Sequence, residues 1–136
     1  MKNVCITSAS RTAVGSLGKS LKNICAEDLG STVISSILEN SKISKASIDE
    51  VILGQVLTGG SGQNPARQAA IKSGISKETP AYVVNQVCGS GVRSVVSGFQ
   101  SIQSGDSKII IAGGQENMSL APHAIQLRDG QTLGDA

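Results

Sequence analysis

The sequence predicts an α/β fold in which a mostly parallel sheet is covered by helices on both faces. Short apolar runs with β-branched residues recur along the chain, and most are followed by a segment whose apolar residues repeat at helical spacing. Glycines and one Asn-Pro pair lie where these helical segments would begin or end. Strands that alternate with helices are typical of parallel sheets, whose functional residues follow the carboxyl ends of the strands.

The first part of the chain contains two predicted strands and one long helix. A short apolar run predicts the first strand at residues 4–7, and a loop with Gly15 and Gly18 follows it. The helix then begins with Glu27 and Asp28 in its first turn, where the helix dipole favours negative charge. Its apolar residues share one face: Leu29, Val33, Ile34, Ile37 and Leu38. The second strand is predicted at residues 51–57.

The remaining elements repeat this alternation. A glycine-rich turn at residues 59–62 matches neither G-x-G-x-x-G nor G-x-x-x-x-G-K-[ST], which predicts a loop and not a phosphate site. Asn64 caps a short helix that has Pro65 at its first position and Gly74 at its end. A strand at residues 81–84 precedes a helix whose periodicity starts at Val92 and ends at Gly105. The last strand is predicted at residues 108–111.

Cys88 is the candidate nucleophile, because it lies between the strand at 81–84 and the helix that follows. The unpaired N–H groups and the positive dipole at a helix N-terminus favour the thiolate over the thiol. Gly89 and Gly91 leave room for a substrate to approach backbone N–H groups that bind an oxyanion. The alternative is an inert cysteine, since free cysteine is among the most buried residue types.

The other two cysteines and the composition narrow the class of protein. Cys5 and Cys25 are interpreted as structural, and without C-x-x-C spacing the three cysteines predict neither a metal site nor a disulfide framework. Because no disulfide framework is predicted, the cysteines favour a reducing compartment. The sequence shows neither a signal peptide nor an apolar run of membrane length, so we expect a cytoplasmic protein. The net charge of +2 and only two aromatic residues, Tyr82 and Phe99, make nucleic acid an unlikely partner.

Residues 85–91, Asn-Gln-Val-Cys-Gly-Ser-Gly, resemble the nucleophile segment of the thiolases, in particular the biosynthetic acetyl-CoA C-acetyltransferase type. Four other segments resemble the N-terminal half of that family in the same order and at similar spacing. They are Ser-Arg-Thr-Ala-Val-Gly at 10–15, Val-Ile-Leu-Gly-Gln-Val at 51–56, Gly-Gln-Asn-Pro-Ala-Arg-Gln-Ala-Ala at 62–70, and Ala-Gly-Gly-Gln-Glu-Asn-Met-Ser at 112–119. The resemblance therefore runs over essentially the whole chain.

The resemblance implies that the fold is an incomplete thiolase. Residues 1–118 would form part of the N-terminal half-domain, and residues 119–136 would begin a truncated loop domain. Four strands of a five-stranded sheet would be present, since in the family the chain returns from the loop domain to add a further strand. The Asn-Glu-Ala-Phe, Gly-His-Pro and Cys-x-Gly segments of the family do not occur in these 136 residues. The only histidine, His123, resembles part of a structural loop instead.

The resemblance also implies a reaction. Cys88 would carry an acyl group while two acetyl-CoA molecules condense to acetoacetyl-CoA and CoA, or while the reverse thiolysis proceeds. CoA thioesters would be substrates, so no cofactor or metal is expected. The implied partners are an acyl-CoA and further copies of the complete enzyme, and a split enzyme would add a complementary C-terminal chain. The composition and the lack of an apolar run of membrane length predict no nucleic acid and no membrane. No CoA-binding residues are assigned.

Two alternative functions remain open. The first is another member of the thiolase-like superfamily, such as a ketoacyl synthase. The second is a non-catalytic thiolase remnant, or one half of a split thiolase that is inactive as an isolated chain. Ser90 is interpreted as a hydroxyl at the helix N-terminus, and Arg67 and Arg93 as surface or interface charges.

Overall fold

The computed structural model describes residues 3–125 and contains a three-stranded parallel sheet with three α-helices. The strands are β1 (Glu50–Gly54), β2 (Ala81–Val84) and β3 (Ile110–Gly114), and their order in the sheet is β2-β1-β3. The helices are α1 (Ala26–Ser41), α2 (Pro65–Lys72) and α3 (Ser90–Ser104). Short 3₁₀ turns occupy Lys45–Ser47 and Met118–Leu120. The predicted α/β fold with a parallel sheet is confirmed.

Helices cover both faces of this sheet. The connection through α2 joins β1 to β2, whereas the connection through α3 steps back across β1 to β3, and right-handed crossovers in opposite directions place their helices on opposite faces. Val51 and Leu53 of β1 pack with Ile34 of α1 and Ala69 of α2 in the main core. Ile52 alternates to the other face and is also buried. The central strand is therefore enclosed on both sides.

The helix boundaries follow the local signals in the sequence. The Asn64 side chain accepts a hydrogen bond from the Arg67 N–H, and Pro65 is the first residue of α2. Gly74 and Gly105 have φ angles of 82° and 94° after α2 and α3, the left-handed conformation that ends a helix. In α1, Ile34 and Leu38 of the predicted apolar face are buried. The three predicted helices are confirmed.

Helix α3 presents an unexpected face to the sheet. Its buried residues are small, namely Ser90, Ser94 and Gly98, while Phe99 remains 44% exposed. A Cβ atom at Gly98 would lie 3.3 Å from the Ile110 side chain, so the small residues allow the helix to approach β3 closely. The periodicity of the larger apolar residues correctly predicted a helix, but these residues are not its buried face. Val92, Val95, Val96 and Phe99 are exposed, and Val95 and Phe99 line an apolar groove beside β3.

The predicted first strand at residues 4–7 is wrong. No residue from 3 to 25 belongs to a strand or helix, and Cys5 and Ile6 are exposed. This segment lines an apolar groove of about 310 Å³ whose opposite wall includes Ile111 of β3 and Phe99 of α3. An extended segment becomes a strand only when a neighbour supplies its backbone hydrogen bonds, and none of the described strands pairs with residues 4–7.

Two other predicted strands have different ends in the structure. The strand predicted at 51–57 ends at Gly54, because the N–H groups of Val56 and Leu57 donate to the Glu116 carboxylate and not to a neighbouring strand. The strand predicted at 108–111 starts at Ile110, because the Asp49 carboxylate accepts from the two N–H groups before it. The predicted end of β1 and the predicted start of β3 were wrong for the same reason. In both places a carboxylate far away in the chain binds the backbone N–H groups that a neighbouring strand would otherwise bind.

The predicted boundary at residue 118 falls at the start of the second 3₁₀ turn. Most of the predicted loop-domain segment 119–136 lies outside the described residues, because the structure describes the chain only to residue 125. The domain assignment therefore stays a prediction. Within residues 3–125, no helix is both long and apolar enough to cross a bilayer.

Candidate active site

The carboxyl ends of the three strands meet at one edge of the sheet, and Cys88 lies at this edge. β2 ends at Val84, a turn carries the chain through Cys88, and α3 begins two residues later at Ser90. Cys88 is exposed and lines an open cavity of about 580 Å³. Other residues on the cavity wall include Leu57 and Glu116. The structure thus places Cys88 at the strand-to-helix turn that the sequence predicted.

The turn before Cys88 contains a strained residue. Val87 has a φ of 51°, a left-handed conformation that is unfavourable for a β-branched side chain. The Asn85 side-chain oxygen accepts from the Val87 N–H at 3.0 Å. The Ser90 hydroxyl accepts from the Gln86 N–H at 2.8 Å and donates to the Val87 carbonyl at 2.6 Å. Side chains on both sides therefore fix the turn that carries the thiol.

Gly54 allows the start of α3 to lie against the end of β1. A Cβ atom at position 54 would be 2.4 Å from the Ser90 carbonyl carbon and 2.6 Å from the Gly91 nitrogen, so only glycine fits. The first N–H groups of a helix have no partner within the helix. Gly91 belongs to this first turn and lines the cavity. The close approach therefore brings the first turn of α3 to the same cavity as Cys88.

The segment after β1 is held from two neighbouring strands. The Glu116 carboxylate, which follows β3, accepts from the Val56 N–H at 2.8 Å and from the Leu57 N–H at 3.3 Å. The Asn85 side chain, which follows β2, donates to the Val56 carbonyl at 3.3 Å. The sequence analysis did not single out Glu116 or the amide of Asn85. Their position directly after parallel strands was the available signal, because such residues gather at one edge of the sheet.

Two buried amides form the base of the cavity wall. Gln55 and Gln115 are 1% and 6% exposed, and the Gln115 amide nitrogen donates to the Gln55 side-chain oxygen at 2.9 Å. The Gln55 amide nitrogen donates in turn to the Leu57 carbonyl and to the Ser61 hydroxyl. The side-chain oxygen of Gln115 is buried and has no hydrogen-bond partner among the described atoms. This network joins the ends of β1 and β3 to the loop that contains Ser61.

The structure does not bring the other sequence candidates to this cavity. Cys25 is the half-buried residue before α1, and neither it nor Cys5 lines the cavity wall. His123 is exposed and is also absent from the wall. Arg67 was interpreted as a surface or interface charge, but its guanidinium donates to the carbonyls of Thr79 and Lys77 and fixes the loop before β2.

No group of three or more metal-ligating side chains lies close enough to hold a metal ion in the part of the chain that the structure describes. What remains at the cavity is a thiol, backbone N–H groups, amides and one carboxylate. This set of groups has the components of nucleophilic catalysis on a carbonyl, namely a nucleophile and donors for the oxygen that becomes negative.

The fold and the site together define a parallel α/β protein with a cysteine at the carboxyl edge of its sheet. A family model described as the thiolase N-terminal domain matches residues 4–136. The chain belongs to the thiolase family. This confirms the resemblance inferred from the sequence segments.

Curated relatives and solved structures agree with this membership. The chain is 53% identical to an acetyl-CoA acetyltransferase of Cupriavidus necator, over 100% of this chain and 35% of the relative. It is 52% identical to the acetyl-CoA acetyltransferase of Escherichia coli, over 99% of this chain and 35% of the relative. The chain thus spans about a third of the length of these relatives.

Two solved structures share the fold. The acetyl-CoA acetyltransferase of Bacillus anthracis superposes with a TM-score of 0.88 at 30% identity, over 96% of this chain and 33% of that one. The Acat5 thiolase from Ascaris suum, solved in complex with coenzyme A, gives a TM-score of 0.85 at 37% identity, over 92% of this chain and 34% of that one.

Proposed function

We propose that this chain supplies the nucleophilic part of an acetyl-CoA C-acetyltransferase, with Cys88 as the residue that carries the acyl group. The observation that carries the proposal is an exposed Cys88 in a cavity at the joined strand ends, beside the first turn of α3. The names of the relatives and the coenzyme A complex of the Ascaris suum thiolase support an acyl-CoA as substrate.

In the proposed first step, the Cys88 sulfur bonds to the carbonyl carbon of an acyl-CoA. The carbon–sulfur bond to coenzyme A then breaks, and the coenzyme A sulfur leaves with the electron pair and takes up a proton. The negative charge on the carbonyl oxygen is stabilised by backbone N–H donors near Cys88. One such donor is typically worth about 10²–10³ in rate.

In the proposed second step, the deprotonated α-carbon of a second acetyl-CoA bonds to the carbonyl carbon of the acetyl group on Cys88. The bond from that carbon to the Cys88 sulfur breaks, the sulfur leaves with the electron pair, and acetoacetyl-CoA is released. This step needs a base to remove an α-proton and donors to stabilise the enolate. The resemblance assigns these roles to the Gly-His-Pro, Asn-Glu-Ala-Phe and Cys-x-Gly segments, which do not occur in the 136 residues. A complementary C-terminal chain is therefore part of the proposal.

Three further properties belong to the same proposal. Coenzyme A enters as part of the substrate, so the reaction uses no separate cofactor. The complete enzyme is a homo-oligomer, as the family resemblance implies. Its compartment is the cytoplasm, which suits Cys5, Cys25 and Cys88 because all three are free thiols.

The test measures cleavage of acetoacetyl-CoA by the 136-residue chain alone and with the missing C-terminal part supplied as a separate chain. We expect no turnover by the chain alone, because it lacks the base and the donors of the second step. The base is worth about 10²–10⁴ in rate, and each donor is worth about 10²–10³. With the second chain present, turnover should require Cys88 and survive Cys5→Ser. Equal turnover by a complemented Cys88→Ser variant would overturn the proposal.

A further inference from the structure

The left-handed conformation of Val87 is the most strained feature of the described backbone near the cavity. Lys42 and Asn64 are the other non-glycine residues with positive φ in the described part of the chain, and neither has a β-branched side chain. Asparagine tolerates this conformation better than valine does, because its short polar side chain can hydrogen-bond locally. A valine adopts it only where the surrounding structure over-determines the backbone.

The Ser90 hydroxyl adds a side-chain constraint to the backbone bonds of this turn. It accepts from the N–H on one side of Val87 and donates to the carbonyl of Val87 itself, so it closes the turn across the strained residue. The backbone N–H groups of Gly89 and Ser90 donate to the Gln86 and Val87 carbonyls in the same turn. Ser90 itself is 4% exposed, so the hydroxyl lies on the inner side of the turn. Asn85 also binds the turn, but Asn85 is exposed and its bond to the Val87 N–H competes with water.

We propose that Ser90 is a positioning residue for Cys88: its hydroxyl holds Val87 in the left-handed conformation that presents the thiol beside the first turn of α3. This inference rests on the proposed function, in which Cys88 receives an acyl group. Cys88 lies between the two ends of the clamp, at Gln86 and Ser90, so a change in the turn moves the sulfur relative to the backbone donors. The sequence analysis had assigned Ser90 only to the helix N-terminus.

This role predicts that Ser90 and Val87 act together. Without the hydroxyl, valine should leave the left-handed region and displace Cys88, whereas asparagine at position 87 should remain there with less support. A serine that only fills space against Gly54 would have an effect independent of residue 87. Coupling between positions 87 and 90 is therefore the property that separates a positioning role from a packing role.

The test measures two reactions of Cys88 in the 136-residue chain by peptide mass spectrometry. Acetylation by acetyl-CoA needs the sulfur beside the oxyanion donors, whereas alkylation by iodoacetamide needs only an accessible thiolate. Loss of the two hydrogen bonds of the hydroxyl in Ser90→Ala should slow acetylation about ten-fold. Alkylation should change much less. The double variant Val87→Asn/Ser90→Ala should recover most of the acetylation rate.

Ser73→Ala is the matched control, because Ser73 is also buried and its hydroxyl donates to two carbonyls, of Ala69 and Ala70, at the end of α2. It should leave both rates of Cys88 unchanged. If Ser90→Ala does not fold, the double variant still tests the role, because it is expected to fold and to be acetylated.

Two other results would contradict the inference in different ways. Unchanged acetylation in Ser90→Ala, or equal losses in Ser90→Ala and the double variant, would overturn the positioning role and leave the function of Cys88 standing. If the unaltered chain is not acetylated at Cys88 at all, the positioning role is overturned, whereas the proposed function is judged by the turnover of the complemented chain.

Discussion

The three cysteines differ in ways that make the nucleophile assignment testable at the level of single residues. Cys88 and Cys5 are both exposed, but only Cys88 lies beside a helix N-terminus. Cys25 precedes α1 directly, yet it is half-buried and the first turn of that helix carries Glu27 and Asp28. Exposure and a favourable helix end therefore coincide only at Cys88.

We expect iodoacetamide to alkylate Cys88 faster than Cys5 or Cys25 in the folded chain at neutral pH, because Cys88 is exposed in an open cavity beside the first turn of α3. Brief labelling followed by peptide mass spectrometry gives the three rates from one sample. In concentrated urea the three rates should converge, which is the internal control. Labelling of folded Cys88 at the rate of Cys5 or below would count against the nucleophile.

At the level of secondary structure, two carboxylates decide where strands begin and end. Glu116 stops β1 by accepting the N–H groups after Gly54, and Asp49 delays β3 by accepting the N–H groups of Lys108 and Ile109. Each carboxylate lies about sixty residues along the chain from the N–H groups it binds. Side chains that bind a strand end from a distance therefore act as caps for the sheet.

Asp49 gives this effect a pH signature. The N–H groups of Ile109 and Lys108 bind its ionised form and lower the pKa of the carboxyl below its ordinary value of 3.8. A carboxyl whose pKa is lower in the folded state stabilises the fold above its unfolded pKa, and the stabilisation is lost as pH falls through the folded pKa.

We therefore expect Asp49→Asn to lower the urea midpoint at neutral pH, by an amount that shrinks as pH falls below 3.8 and through the lower folded pKa. The measurement is the urea midpoint of both proteins across this range. Glu78→Asn is a control, since this exposed carboxylate lies in a turn outside the sheet. If Asp49→Asn lowers the urea midpoint by the same amount at all pH values, the stabilisation does not come from the ionised Asp49 carboxylate.

The two glycines Gly54 and Gly113 provide a second test at this scale, because both lie in strands but in different surroundings. A Cβ atom at Gly54 meets backbone atoms of α3 at 2.4 and 2.6 Å, whereas one at Gly113 meets nothing within 4 Å. We expect Gly54→Ala to destabilise the fold by about 1–3 kcal/mol. Gly113→Ala should be neutral or slightly stabilising. Thermal unfolding of both variants measures the difference, and equal shifts would contradict the close approach of α3 to β1.

For the whole molecule, the main consequence of the structure is unpaired apolar surface. The outward face of α3 exposes Val92, Val95, Val96 and Phe99. Val95 and Phe99 also line the apolar groove that β3 borders beside residues 4–8. β3 pairs only with β1 among the described strands. Contiguous apolar surface and an unpaired strand edge both promote association.

We expect the isolated chain to self-associate at concentrations on the order of tens of micromolar. Val92→Lys should weaken this association, because Val92 is 72% exposed on the apolar face of α3. Val14→Lys is the matched control, since Val14 is 79% exposed but lies in the loop before α1. Sedimentation velocity measures all three proteins. A compact monomer of the unaltered chain would refute this expectation.

The sequence alone determined the features that depend on neighbouring residues. The Asn64 cap, the Gly74 and Gly105 helix ends and the strand at 81–84 were predicted correctly, because turns, caps and helical periodicity act within a few residues. The position of Cys88 before α3 followed from the same local signals. The family was found from the segments around it, as the family comparison confirmed.

Only the tertiary structure decided the features whose partners are far away in the chain. Residues 4–7 have strand-like composition but no described strand beside them, and β1 and β3 end where Glu116 and Asp49 take over their N–H groups. The buried face of α3 depends on how closely Gly54 lets the helix approach. Periodicity shows that an apolar face exists, but close contacts with residues distant in the chain decide which face is buried. In the same way, hydrogen bonds between residues about sixty positions apart decide where the strands end.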